Sequence, residues 1–164
     1  MSLYLKSLEH LGYRYLQFAP DGSFFVVGGT SKFHIRSFPS TDHIATVNLP
    51  RGQAYSLDIS SDGKYIGMGS TETFSIYTVA TQELRTVPCE KKFQYTLLRF
   101  TPRGDTIIVG GYRGEIYFFD LVSLTVMNTL KITERRILCL EIDNSGERIA
   151  TGDSGGVVRI TNLT

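Results

Sequence analysis

Arginines and lysines gathered in the segments between strand-like runs are the residues of this chain best suited to chemistry. Arg51, Lys91, Lys92, Arg113, Arg135 and Arg136 lie in such segments, and Tyr112 directly precedes Arg113. Guanidinium groups bind carboxylate or phosphate through paired N–H donors, and a neighbouring aromatic ring adds an amphipathic anchor. That set suits recognition of an acidic or phosphorylated segment of a partner, or of a nucleic-acid backbone. A second set, Gln17, Asp58, Arg99 and Glu141, recurs at equivalent places along the chain. Two carboxylates there would be the raw material of an acid–base pair. Alternating charges in neighbouring places satisfy one another first, so the expectation is pairing of Asp58 with Arg99 and of Arg99 with Glu141.

Other reactive patterns are missing from the sequence. It has no G-x-S-x-G elbow, no Walker loop and no H-E-x-x-H pair. Gly110-Gly111-Tyr112-Arg113-Gly114 is glycine-rich, yet strand-like runs flank it on both sides and no helix start follows to cradle a phosphate. His10, His34 and His43 lack ligand spacing, and Asp143-Asn144-Ser145-Gly146 reads as a turn because the rest of the calcium-loop pattern is absent. Cys89 and Cys139 sit at non-equivalent places and are expected to be reduced thiols. The sequence therefore predicts no catalytic residue, no metal and no cofactor. The net charge of +1 draws the whole chain toward neither nucleic acid nor membrane. Neither a secretory leader nor a membrane span is legible, and an intracellular protein, cytoplasmic or nuclear, is expected.

The elements that must position these residues are announced by a repeat. Phe18-Ala19-Pro20-Asp21-Gly22 returns as Ile59-Ser60-Ser61-Asp62-Gly63, Phe100-Thr101-Pro102-Arg103-Gly104 and Ile142-Asp143-Asn144-Ser145-Gly146. The four glycines are spaced by 41, 41 and 42 residues. A unit of that length made of short β-rich runs is the mark of a β-propeller, one four-stranded blade per repeat. The chain of 164 residues is expected to be a single domain with repeats at about 1–41, 42–82, 83–123 and 124–164.

Each repeat has four runs. The first covers residues 3–8, 44–49, 84–87 and 124–130; the second 13–18, 54–59, 95–100 and 137–142; the third 24–27, 65–68, 106–109 and 148–150; the fourth 33–38, 74–79, 115–121 and 157–163. In the second run the columns Leu16, Leu57, Leu98, Leu140 and Phe18, Ile59, Phe100, Ile142 share one sheet face by period-two spacing, with the polar column between them. The third run ends in Gly28-Gly29, Gly69-Ser70, Gly110-Gly111 and Gly152-Asp153, which are expected to form tight turns with positive φ.

Gly110 to Leu121, ending Tyr117-Phe118-Phe119-Asp120-Leu121, resembles the segment of WD-repeat proteins that closes in Trp-Asp, with Phe119 in the place of tryptophan. The dipeptide is replaced elsewhere by Arg36-Ser37, Tyr77-Thr78 and Thr161-Asn162, the chain has no tryptophan, and Arg113 and Gly155 stand where the family has an aspartate. The resemblance covers essentially the whole chain and implies a divergent member. It implies that the second, third and fourth runs are strands a, b and c from the channel outward, and the first run the outer strand d of the blade before. The N-terminal outer strand, residues 3–8, would then close the last blade beside residues 157–163. Four blades are few for this family. Two chains forming one eight-bladed ring, or pairing with another partial propeller, is the leading expectation; a compact four-bladed monomer and a piece of a longer propeller are the other arrangements.

The family implies a non-catalytic protein–protein interaction scaffold in a multi-protein assembly. The alternative is a nucleic-acid-associated, RNA-processing subunit that uses the basic loop face. A phosphoinositide-binding propeller ranks below both, because Glu134-Arg135-Arg136-Ile137 lacks the glycine of the Phe/Leu-Arg-Arg-Gly motif.

Overall fold

The computed structural model describes residues 14–50, 53–88 and 95–163. The expected closing strand at 3–8, together with His10, Arg51, Cys89, Lys91 and Lys92, lies outside the described residues. Fifteen strands and no helix make up what is described. The first sheet is β1 (Tyr15–Phe18), β2 (Phe24–Gly28), β3 (Lys32–Ser37) and β4 (His43–Asn48); the second is β5 (Ala54–Ile59), β6 (Tyr65–Ser70), β7 (Thr73–Thr78) and β8 (Glu83–Pro88). The third is β9 (Tyr95–Phe100), β10 (Thr106–Gly111), β11 (Glu115–Asp120) and β12 (Val126–Lys131). The fourth has three strands among the described residues, β13 (Ile137–Ile142), β14 (Arg148–Asp153) and β15 (Val158–Asn162). Every sheet is an antiparallel meander in chain order, and the first strands β1, β5, β9 and β13 touch in succession around the hub. Four β-propeller blades result, with the strand boundaries that the repeat predicts to within two or three residues.

Turn chemistry explains the regularity. Gly22, Gly63, Gly104 and Gly146 all adopt φ between 71 and 74°, where a side chain would strain the backbone. At each of these turns the glycine amide donates to the carbonyl three residues back, on Ala19, Ser60, Thr101 and Asp143. A second repeated turn joins the third and fourth strands of three blades. There the amides of Thr41, Gln82 and Leu124, at φ 64, 58 and 55°, donate to the carbonyls of Ser37, Thr78 and Asp120.

Three of the four small pairs that end the third run are strand and not tight turns, and in the first copy Gly29 lies in the connection between β2 and β3 without positive φ. Gly69-Ser70, Gly110-Gly111 and Gly152-Asp153 belong to strands β6, β10 and β14, and none of their glycines has positive φ. They are small because the hub is crowded. A Cβ on Gly152 would meet Cys139 Sγ at 2.6 Å, and one on Gly111 would meet the Glu115 carbonyl at 3.1 Å.

Apolar burial occurs between blades. Phe24, Val26, Phe33 and Ile35 of the first blade pack with Leu57, Ile59, Ile66 and Met68 of the second. Phe74 and Ile76 pack with Leu98, Phe100, Ile107 and Val109, and Ile108 and Ile116 with Ile137, Leu140 and Ile149. The leucine column reveals the direction of packing. Leu98 is 0% exposed against the blade before it, whereas Leu16, with no described blade before it, is 62% exposed.

Leu98 enters the space above Gly67, where an added Cβ would lie 2.3 Å from Leu98 Cδ2 and 3.1 Å from Phe100 Cε2. Gly67→Ala is expected to cost about 1–3 kcal/mol by overpacking. Leu98→Ala should cost about 2–5 kcal/mol by leaving a cavity. In urea unfolding the double variant should lose clearly less than the sum, because the new methyl occupies the space the leucine vacates.

Candidate interaction mouth and channel

Loops joining the outer strand of one blade to the inner strand of the next, and the turns between second and third strands, fall at one end of the channel. At this mouth the third and fourth blades are knitted together by backbone. Ile132 N and Thr133 N both donate to the carbonyl of Gly114, and Ser154 N donates to the carbonyl of Arg136. Only glycine serves at 114: its φ is 82°, and a Cβ would sit 2.1 Å from the Thr133 carbonyl. Thr133 hydroxyl, itself buried, donates to Asp153 Oδ2 at 2.9 Å, and the other Asp153 oxygen accepts the amides of Gly155 and Val157. Arg159 completes the ring of donors around this carboxylate.

On that frame Tyr55, Tyr112 and Arg136 converge. The Arg136 guanidinium carbon lies 5.3 Å from the Tyr112 ring centre and 6.0 Å from that of Tyr55, within cation–π range of both. Three blades thus contribute to one cluster. Arg136 Nε has no hydrogen-bond partner among the described residues. Arg135 is exposed and lies along Gly155, where a Cβ would meet its guanidinium at 2.6 Å. Arg113 is exposed beside Tyr112, and its carbonyl accepts from Lys131 Nζ at 2.8 Å. Lys131 is already neutralised, by Glu134 at 3.1 Å and Glu115 at 3.4 Å. Among the described residues Arg113, Arg135 and Arg136 have no acidic partner.

Behind the mouth the inner strands of all four blades line a cavity of about 540 Å³ that contains Gln17, Asp58, Arg99 and Glu141. Arg99 pairs with Glu141 at 2.7 Å, as the charge alternation suggests. Asp58 is held differently from the expectation. Gln17 Nε2 donates to its Oδ1 at 3.0 Å and the Phe100 amide to its Oδ2 at 2.8 Å, so the two oxygens are filled without Arg99. Arg99 instead turns to Glu141 and to the carbonyl of its own neighbour Leu98.

Burial pushes the Asp58 carboxyl above its ordinary value, although the bonds from Gln17 and Phe100 and the charge of Arg99 draw it back. At the mouth the balance is reversed. The bond from Arg159 holds Asp153 well below the carboxylate range, and the Gly155, Thr133 and Val157 donors help it outweigh burial. His34 and His43 both reach the Thr46 hydroxyl at 2.8 Å, away from any ligand set. No group of three His, Cys, Asp or Glu among the described residues is placed to hold a metal.

No family profile matches the chain. Two curated relatives do. Over 124 residues, 74% of this chain, it is 29% identical to U3 small nucleolar RNA-associated protein 12 of Saccharomyces cerevisiae. Over 116 residues, 70% of this chain, it is 25% identical to WD repeat-containing protein 3 of Mus musculus. These similarities and the four-bladed β-propeller support the resemblance to divergent WD-repeat proteins. The chain spans only 13% and 12% of the length of those relatives.

Of the basic-face residues expected from sequence, the structure brings Tyr112 and Arg136 into contact, and Arg113 and Arg135 are their chain neighbours. Tyr55 was not anticipated, because it opens a strand whose equivalents are Arg14, Thr96 and Leu138 and so carries no repeat signal. Asp153 and Thr133 were missed for a related reason. Together they tie the loop entering one blade to the turn inside it, with the aspartate two residues ahead of Gly155, the position where the family has one.

The sign of the acid response follows from Asp153. Its folded pKa lies below the unfolded value of about 3.9, so its contribution is complete above that value and is lost as the pH falls through and below it. The stability gap between Asp153→Asn and the unaltered chain, measured by urea unfolding, should be widest near pH 7 and close toward pH 2. Asp58 has the opposite sign, contributing most when protonated and less as the pH rises through its raised pKa. Carboxyl NMR titration should place it above 3.8.

Proposed function

We propose that this chain is a non-catalytic scaffold subunit whose basic, aromatic-lined mouth docks an acidic or phosphorylated segment of a partner protein within a larger assembly. The observation that carries this is the convergence of Tyr55, Tyr112 and Arg136 from three blades, with Arg113 and Arg135 alongside and no carboxylate to neutralise them among the described residues. A guanidinium held over aromatic faces has its orientation settled before an anion arrives, which lowers the ordering cost of binding. The channel supports a structural part over a catalytic one: Asp58 and Glu141 accept bonds from Gln17, Phe100 and Arg99, which suits them to holding blades together. Arg51, Lys91 and Lys92 are proposed to extend the same basic face.

One relative bears the words small nucleolar RNA-associated in its name, and this favours a second reading in which the assembly is RNA-processing machinery of the nucleus and the mouth meets an RNA backbone. The two readings separate by salt. Phosphate-backbone binding falls steeply with ionic strength, whereas a stacked peptide anchor does so much less.

The test is binding of a fluorescent acidic phosphopeptide and of a single-stranded RNA to the unaltered chain and to an Arg135→Glu, Arg136→Glu variant. Under the scaffold reading the peptide should bind at least about ten-fold more weakly to the variant, and Tyr112→Ala should weaken it further than charge alone explains. Equal peptide binding by both proteins would reject the mouth as the docking site. RNA retention that disappears in the variant and drops steeply between low and moderate salt would transfer the assignment to the second reading.

A further inference from the structure

We propose that Ser154 is a phosphorylation site, and that its phosphate is held by Arg135 and closes the basic mouth to anionic partners. The switch rests on the reading of that mouth as an anion-docking site. It begins from an equivalence between two turns. The amides of Gly114 and Gly156 donate to the carbonyls of Gly111 and Asp153, and both glycines have positive φ, so Tyr112 of the third blade and Ser154 of the fourth occupy the same turn position. Both residues are exposed. The loop that carries Arg135 and Arg136 touches both turns. On one side the Arg136 guanidinium carbon lies 5.3 Å from the Tyr112 ring centre. On the other the Arg136 carbonyl accepts from Ser154 N at 2.9 Å, and Arg135 lies so close over Gly155 that a Cβ there would be 2.6 Å from its Nη1 and 2.9 Å from its Cζ.

One arginine of the pair therefore rests on a ring, and the other on a turn that offers a hydroxyl. No carboxylate answers Arg135 among the described residues. The neighbouring acids are committed elsewhere. The Asp153 side chain is turned inward, 2% exposed, with donors from Thr133, Gly155, Val157 and Arg159, and Glu134 pairs with Lys131 at 3.1 Å. A protein serine kinase would supply the missing anion. The Ser154 oxygen bonds to the γ-phosphorus of ATP as the bond to ADP breaks, and the hydroxyl proton passes to the kinase's base. Phosphoserine carries about −1.5 to −2 charges at pH 7 and three acceptor oxygens, of which a guanidinium can take two at once. Attached beside the backbone that Arg135 covers, it cancels about half or more of the combined charge of Arg113, Arg135 and Arg136. The guanidinium that a docking segment needs is then engaged inside the chain.

The experiment uses the full chain with phosphoserine installed at position 154 during synthesis, by itself and combined with Arg135→Gln. Both positions are exposed, so circular dichroism should show the proteins folded. In a phosphorus NMR titration the phosphate should reach its dianion at a pH at least about half a unit lower than in the Arg135→Gln form, because a guanidinium beside it favours the charged state. The fluorescent acidic phosphopeptide should bind the phosphorylated chain at least about ten-fold more weakly than the unmodified one. With ATP and a panel of protein serine kinases, mass spectrometry should map phosphate to Ser154, and Ser154→Ala should lose it. Equal titration in the two proteins overturns the proposal, as does a panel that leaves Ser154 bare or a peptide that binds both forms alike. A peptide that binds neither form defeats the docking reading and the switch with it, while the titration decides separately whether Arg135 holds the phosphate.

Discussion

A β-sheet with two apolar faces cannot stand by itself in water, and every other feature of this chain follows from that. Each blade is covered on one side by its predecessor and on the other by its successor, so the buried residues group by seam and not by sheet. At one of these seams the Leu98 side chain fills the space that a Cβ at Gly67 would need. Packing of this kind is additive along the arc in the manner of repeat proteins, each unit drawing stability from its neighbours. It also explains why Leu16, Phe18 and Val158 are exposed while their equivalents in the middle blades are buried.

The same seams set the polar chemistry of the hub. Where inner strands approach, burial penalises an isolated charge, and Asp58 is the carboxylate most affected. Two neutral donors, an amide side chain and a backbone N–H, fill its oxygens, while Arg99 is directed to the more exposed Glu141. Arg99 spends its N–H groups on Glu141 and the Leu98 carbonyl, and Gln17 and the Phe100 amide serve Asp58. The observed arrangement gives each of the four a hydrogen-bond partner, which helps to fix the relative height of adjacent blades as well as their contact.

Much of this was legible from sequence because the repeat multiplies weak signals. A single Asp-Gly is one turn among many, but four glycines 41 or 42 residues apart, all needing left-handed backbone, define the frame. Strand faces followed from the Leu and Phe/Ile columns. What escaped were features that break the repeat or depend on depth. Gly110-Gly111 reads as a turn by composition, yet the pair is strand, kept small by Leu97 and Glu115. The Asp58 partners depended on which side chain lay at which height, which spacing does not encode. Tyr55 and Asp153 occur in one blade each, so periodicity had nothing to say of them.

That last point bears on function. Residues common to all blades build the ring, and residues peculiar to one blade are free to specialise it. The mouth is made of such singular residues: Tyr55 from the second blade, Tyr112 and Arg113 from the third, Arg135 and Arg136 from the approach to the fourth. They rest on constraints that are themselves local, Gly114 beneath the Thr133 carbonyl and Asp153 gathering the Thr133, Arg159, Gly155 and Val157 donors. A chain of near-zero net charge thereby holds three unneutralised guanidinium groups, counted among the described residues, at one end of a channel. Lys131, a few residues away, shows the contrast, since its charge is spent on Glu115 and Glu134 in stiffening the loop. At this mouth the Arg136 guanidinium, which no described carboxylate pairs, lies over two aromatic rings, and the proposed docking of an anionic segment rests on that arrangement.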